Sequence, residues 1–317
     1  MYTYGLPQWL MFFYLYCFAG WIFESAYVTL RTKHFVNRGF LRAPMLPLYG
    51  TGAVVMLWVS IPVRGNLVLT YLAGVVGATA LEYVVGVGME ALFKVKYWDY
   101  SDQKLNFQGI ICLSSSVAWG FLTLFLTEVI HRPVERWVLE LPDLTLGIFL
   151  GSVSTVFVSD TIVSVKAALD LRKMLESMTR VRAEVEAMQV QLSLARMETR
   201  DQVEEFRETI EERMRRYKEA KRKFTERLEA LHIPTRAQLD ELKELLPDHS
   251  SLLEKLREKA LEYNRIADRP GFFRESLLRG NPGASSMKFG MALKELQGRI
   301  KERTKGQEIK GEEDSEK

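Results

Sequence analysis

Residues 143–188 read DLTLGIFLGSVSTVFVSDTIVSVKAALDLRKMLESMTRVRAEVEAM, without a proline, and their character changes near residue 165. Between Asp143 and Lys166 the only charged residue is Asp160, whereas Lys166, Asp170, Arg172, Lys173, Glu176 and Arg180 then follow at short intervals. A helix that is apolar all round needs hydrocarbon, and one that is charged all round needs water. The stretch therefore predicts one helix that leaves a membrane and continues into an aqueous compartment.

The same step divides the whole chain. Its averages, 26% charged residues and a net charge of +3 over 317 residues, would suit a soluble globular protein. So would a mean hydropathy of -0.06. Residues 1–165, however, hold only 10 of the 43 Lys and Arg and 10 of the 40 Asp and Glu. Two materials imply two solvents, lipid around the first half and water around the second.

Upstream of 143, four more segments are apolar enough to cross a bilayer: about 7–30, 45–63, 67–93 and 109–130. With 143–167 that makes about five spans. The first is too long for a signal-peptide core and has no basic stretch before it, so it reads as a retained helix. The second is the weakest, being short and opening with Pro44 and Pro47. Pro133 and the stretch Glu135–Leu141 read as a short interfacial segment between spans four and five, with Trp137 at headgroup depth.

Loop charges set the orientation. Residues 1–6 have no Lys or Arg, and the loops after spans two and four carry Arg64, Arg132 and Arg136. Opposite them lie Arg31, Lys33, Arg38, Arg42, Lys94, Lys96 and Lys104, together with the basic C-terminal half. The positive-inside rule places the N-terminus outside and the C-terminus in the cytoplasm of a cell-membrane, multi-pass protein.

Several function classes find no support. Cys17 and Cys112 both fall in apolar runs, and His34, His131, His232 and His249 show no ligand spacing, so neither a disulfide framework nor a zinc site is expected. There is no G-x-x-x-x-G-K-[ST], no H-E-x-x-H and no G-x-S-x-G. The chain is expected to be no enzyme and to need no cofactor. No nucleic-acid module is visible, and the basic patches read as solvated faces rather than nucleic-acid contacts.

Charged groups inside spans are costly, and each is by default a functional candidate. Here they are Glu24, Glu82, Glu90, Glu128 and Asp160. Glu82 and Glu90 lie about 12 Å apart along one helix and on broadly the same side. Gly74, Gly77, Gly86 and Gly88 would let a neighbouring helix approach that span closely. Glu128, at the outer end of span four, reads as snorkelling. The two inner loops add Arg38, Arg42, Tyr49, Asp99, Tyr100 and Asn106 at the same membrane level. Arg38 or Arg42 could pair with Asp99 or Glu90. The candidate polar site is thus Glu24, Arg38, Tyr49, Glu82, Glu90, Asp99, Tyr100, Asn106 and Asp160. Three uses fit it: hydrogen-bonding glue between helices, a pathway for a solute or ion, or a catalytic or regulatory centre. Paired carboxylates with a third acid suit a divalent cation, but nothing in the spacing requires one.

Several separated motifs run in order: Gly20-Trp21-Ile22-Phe23-Glu24, Asn37-Arg38-Gly39-Phe40-Leu41, Pro44, Pro47-Leu48-Tyr49-Gly50, Glu82-Tyr83, Glu90, Trp98-Asp99-Tyr100-Ser101, Asn106, Gly109 and Trp119-Gly120. Over residues 8–165 this series resembles the bacterial ABC-transporter permease family called type IV, or CmpB-like. The resemblance implies a multi-pass domain in the cytoplasmic membrane and a separate ATPase partner. It does not extend into the C-terminal half.

That half has no Pro or Gly from Ala167 to His232, so span five can continue as one helix; ninety residues from Asp143 would extend about 135 Å. Apolar residues recur at heptad spacing: Leu171, Met178, Val185, Leu192 and Phe206 in one row, Met174, Val181, Met188 and Ala195 in the other. A second set, Val203, Ile210, Tyr217, Phe224 and Leu231, follows four residues out of phase, as a stutter does. The stripe needs a partner. Either later helices fold back on it (one opened by Thr235 and Gln238 after Pro234, another from Ser250 or Ser251 to about Ala267) or two chains pair in parallel. Pairing of two chains into a homo-oligomer is the expectation favoured.

The expected organisation is all-α: a multi-pass membrane helix bundle at 1–167, a long cytoplasmic coiled-coil-like helix at 168–232, shorter helices at 233–270, and a basic helix with a disordered charged tail at 271–317. Transport, as a permease component, leads the functional readings. A non-transporting membrane anchor presenting a coiled-coil arm and a membrane-embedded enzyme are the alternatives.

Overall fold

The computed structural model describes residues 4–201, 219 and 250–315. The first helix, α1 (Leu6–Thr32), takes Pro7 in its first turn, where a missing N–H breaks no helical bond. It ends at Lys33, whose left-handed backbone returns its N–H to Thr29. Helix α2 (Pro47–Ser60, extended by a 3₁₀ turn over Ile61–Val63) uses Pro47 in the same way, so the proline that weakened the second span in the sequence marks its start.

Helix α3 (Leu67–Phe93) is capped by the Asn66 side chain, which accepts from the N–H groups of Val68 and Leu69. A two-stranded ribbon, β1 (Asn106–Phe107) and β2 (Ile111–Cys112), then leads into α4 (Leu113–Phe125). Residues Leu126–Ile130 form a π turn and continue directly into α5 (His131–Leu139).

Two expectations change here. Spans four and five are not separated by a distinct interfacial segment, because Leu113–Leu139 is one helical path. The π turn loosens the hydrogen-bond ladder just ahead of Pro133, which absorbs the missing proline N–H. The five segments also resolve unequally. Among the described residues, four helices are long and apolar enough to cross a membrane, and Pro47–Val63 is shorter.

The short helix has a geometric reason. The loop after α1 folds back until the Leu46 N–H donates to the Cys17 carbonyl at 3.0 Å, so α2 begins beside the middle of α1. Gly20 and Gly50 make this approach possible. A Cβ on Gly20 would stand 2.4 Å from Tyr49, and one on Gly50 2.6 Å from the Phe13 carbonyl. The small residues of α3 serve α4 likewise, with Gly74 against Thr123, while Gly88 faces open space.

Packed between the helices are Met11, Phe12, Tyr14, Met56, Leu57, Ala78, Leu126 and Leu146. Outside, Leu72, Val76, Phe121, Phe125, Ile148, Val156 and Ile162 stand exposed. So much uncovered apolar surface is what a bilayer-facing bundle presents. Cys17 and Cys112 are buried and free, as their apolar settings led one to expect.

Helix α6 runs unbroken over Asp143–Asp201 and enters both compact units of the chain. The first unit joins residues 1–175 to residues 270–317. Its C-terminal part holds α8 (Phe272–Gly280) and α9 (Gly290–Ser315). The basic helix expected in 271–317 spans Gly290–Ser315, and this segment groups with residues 1–175. Lys96 and Ser285 pair as an antiparallel bridge, with N–H···O distances of 2.8 and 2.9 Å. The Asn281 amide donates to the Gly39 carbonyl at 2.9 Å, and the Ser286 hydroxyl to the Lys94 carbonyl at 2.6 Å.

In the second unit, residues 176–201 of α6 meet α7 (Ser250–Asp268). Val185 and Leu192 of the heptad stripe pack with Leu253 and Leu256. Lys259 reaches Glu184 at 2.8 Å, while Arg182 meets Tyr263, so the two helices run antiparallel. The stripe at these positions has a partner within the chain. The second heptad set from Val203 to Leu231, and the helix start at Thr235 and Gln238, lie outside the described residues.

Candidate functional site

Buried acids act only through what surrounds them, and Glu82 is the most enclosed acid of the bundle, 3% exposed in the middle of α3. One carboxylate oxygen accepts from the Trp119 indole N–H at 2.9 Å and, more weakly, from the Ser115 hydroxyl at 3.4 Å, both on α4. The other accepts from the Tyr100 hydroxyl at 3.2 Å, carried by the loop between α3 and the ribbon. Three donors thus compensate the cost of burying a charge in a bundle core.

Glu24 of α1 forms the second acidic point. The Tyr49 hydroxyl, in the first turn of α2, donates to it at 2.6 Å, and the Arg38 Nε lies 3.5 Å from its other oxygen. Tyr49 and Trp119 then meet edge to face, with ring centroids 6.3 Å apart. One chain of contacts therefore runs Arg38–Glu24–Tyr49–Trp119–Glu82–Tyr100 across α1, α2, α3 and α4, at the end of the bundle that carries the loops 33–46 and 94–112. The Tyr100 hydroxyl is held protonated by burial and, secondarily, by the neighbouring Glu82.

The remaining candidates do other work. Glu90, a little over two turns beyond Glu82, has turned to Lys96 (3.9 Å), whose Nζ also donates to the Gln108 carbonyl at 2.6 Å. Asp99 accepts from the Ser101 N–H and hydroxyl, and from the Ser285 hydroxyl at 2.6 Å. Burial alone would raise the Asp99 carboxyl, but the donors from Ser101 and Ser285, with Lys96 nearby, hold it below the ordinary carboxylate range. Asn106 closes its own loop, donating to the Ser101 and Gln103 carbonyls and accepting from the Gly109 N–H. Asp160 accepts from the backbone N–H groups of Arg42 and Ala43 at 2.9 and 2.8 Å, and so pins the first loop to α6.

The pairing expected of the arginines is therefore different. Arg38 meets Glu24 rather than Asp99 or Glu90, because the loop returns it to α1. It also donates to the Gly280 carbonyl at 3.1 Å and the Asn281 side chain at 3.3 Å. The Arg42 guanidinium lies over the rings of Phe272 and Phe273. Glu128 pairs with Arg132 one turn away, at the surface.

Sequence reasoning missed Trp119 and Ser115 as partners of Glu82, and Asn281 and Ser285 as partners of the loops. It also missed a second polar cluster at the opposite end of the bundle. His131, fully buried, stands 2.9 Å from the Tyr16 hydroxyl and 3.1 Å from that of Tyr4, which donates to Glu135 at 2.5 Å. Its one signal was a histidine at the end of an apolar run, two residues before Pro133. Among the described residues, no group of three or more His, Cys, Asp or Glu is placed to hold a metal ion.

Residues 11–165 match the model of the family described as "Putative ABC-transporter type IV". The match covers just under half of the chain, nearly the stretch in which the motif series was read. No curated protein matches the chain at a significant level, and no solved structure does either.

Proposed function

We propose that this membrane domain of the type IV ABC-transporter family is the permease component of a transport system, and that its Glu24–Glu82 network is the inner polar site on the transported species' route. One observation carries the reading. Two acids from separate helices, each costly to bury, are joined through Tyr49 and Trp119 at a single level of the bundle. Helix glue alone needs no second carboxylate there, since hydroxyl and amide groups hold membrane helices together at lower cost.

In this reading a proton or a cationic solute competes with Arg38 and Tyr49 for Glu24, and with Tyr100 for Glu82. Glu90 and Asp160 stabilise the loops that form the mouth. The chain does no bond chemistry itself, and a separate ATPase subunit supplies the energy. The short helix Pro47–Val63 makes the fifth crossing, with the N-terminus outside and the loops holding Arg38 and Lys96 in the cytoplasm, in keeping with their basic charge.

The test is flux through reconstituted full-length protein together with any ATPase that co-purifies. Glu82→Gln should abolish it while leaving the protein folded. Transport that is absent from the start, with cells indifferent to Glu82→Gln, would sink the proposal.

The antiparallel pairing of α7 with α6 favours a second reading, a membrane anchor that presents a helical arm. Under it, function survives replacement of residues 1–167 by an unrelated anchor and is lost with residues 168–270. A permease gives the opposite result.

A further inference from the structure

We propose that the groove between α6, the first loop and the start of α8 is a binding site for an anionic phospholipid, with Arg42 as the phosphate ligand and Phe272 and Phe273 as the wall against its glycerol and acyl chains. The groove encloses about 540 Å³ and is lined by Arg42, Thr155, Val156, Ser159, Val163 and Phe273. Its position along the membrane helix is the first argument. Thr155 and Val163 lie about 18 and 30 Å along α6 from Asp143, so the groove ends where a hydrocarbon layer of about 30 Å gives way to headgroups.

The second argument is the pair of phenylalanines. Helix α8 buries Leu277 and Leu278 but leaves Phe272 68% and Phe273 44% exposed in its first turn. Two adjacent exposed aromatic rings are unfavourable in water and favourable at a bilayer boundary. The same rings hold the Arg42 guanidinium at 4.8 and 4.7 Å from their centroids, which orients the side chain without using its N–H donors.

Charge supplies the third. No carboxylate pairs with the Arg42 guanidinium among the described residues. The nearest acid of the groove, Asp160, directs one oxygen at the backbone N–H groups of Arg42 and Ala43. Those bonds fix the residue by its main chain and leave its side chain available. An exposed, stacked arginine beside an apolar furrow is complementary to a phosphodiester carrying acyl chains, and Arg suits phosphate better than Lys because it donates in a planar fork. A choline headgroup would bring a second cation to Arg42 and fits less well.

The experiment uses the full-length protein in nanodiscs of phosphatidylcholine, with and without a minority of phosphatidylglycerol, followed by native mass spectrometry of retained lipid. Phosphatidylglycerol should be retained preferentially. Arg42→Gln should weaken that preference about fivefold, the worth of one basic residue at an anionic membrane. Phe273→Ser should weaken it too, while Arg42→Lys keeps part of it. Lys33→Gln, an exposed cation on the same end of the bundle, should change nothing.

Equal losses from Arg42→Gln and Lys33→Gln would mean diffuse surface attraction and would overturn the site. Displacement of the retained lipid by millimolar inorganic phosphate would also overturn it, since the furrow would then serve a soluble anion. Arg42→Gln keeps the backbone bonds to Asp160, so loss of fold is not its expected effect. An unchanged melting temperature checks this.

Discussion

Arg38 stands 3.5 Å from the Glu24 carboxylate while its other donors reach the Gly280 carbonyl, 242 residues away in sequence. One side chain thus joins an acid of the first membrane helix to the C-terminal segment. Arg38→Ala should destabilise the protein by about 1–2 kcal/mol, discounted because the pair is only partly buried. Arg38→Lys should retain the ion pair and lose the Gly280 and Asn281 contacts. Thermal unfolding of Arg38→Ala, Glu24→Gln and the double variant forms a cycle. Additive losses would mean that the two residues do not interact.

Glu82 gives the sharpest contrast between substitutions. Alanine leaves the Trp119 indole and the Tyr100 hydroxyl facing a methyl group, while the Ser115 hydroxyl keeps the Cys112 carbonyl at 3.0 Å. Unpaired buried donors cost about 1–3 kcal/mol each. Glu82→Ala should therefore cost about 3 kcal/mol or more, and Glu82→Gln, which still accepts through one oxygen, about 1 kcal/mol. Tryptophan emission should shift in Glu82→Ala through Trp119. Equal melting temperatures for the two variants would refute the donor arrangement.

Hydropathy made the helices legible because burial in lipid demands long apolar runs, and it flagged Glu24 and Glu82 because charges there are expensive. It could not show which donors answer them. Trp119 lay in plain view beside Gly120, but an aromatic residue in a span has many uses, and only the packing of α4 on α3 aims its N–H at Glu82. The reach of Arg38 to Glu24 depends on a loop that folds back to Cys17, a path without periodicity. Asn281 and Ser285 were hidden for a different reason. Their segment reads as charged and turn-rich, and its order comes from backbone bonds to Gly39 and Lys96 far away in sequence.

The contact between Asp99 and Ser285 predicts how that segment responds to acid. The Asp99 carboxyl is held below the ordinary carboxylate range, so folding and docking favour its ionised form. Its contribution is complete above the unfolded value of about 4 and is lost as pH falls through the lowered folded value. Limited proteolysis should therefore find the chain after Pro270 protected at neutral pH and more readily cut only in strong acid. Asp99→Ala should bring that susceptibility to neutral pH. Protection that fades near pH 6, or that ignores Asp99→Ala, would rule out this contact as the fastening.

The heptad stripe raised a choice between two chains and one, and Glu184 and Lys259 at 2.8 Å make that choice testable. Val185 and Leu192 pack against Leu253 and Leu256, so a second chain is not needed to keep them dry. An exposed ion pair contributes little, and its value here is as a ruler of register. Cysteines replacing Glu184 and Lys259 in one chain should form a cross-link at the mass of a single chain and leave the sedimentation of the full-length protein unchanged. Leu256→Asp, which places a charge against Val185 and Leu192, should suppress the link by opening the hairpin. A product at twice the chain mass from the same cysteine pair would mean that α7 crosses to a neighbour, and the arm would then be an oligomerisation element.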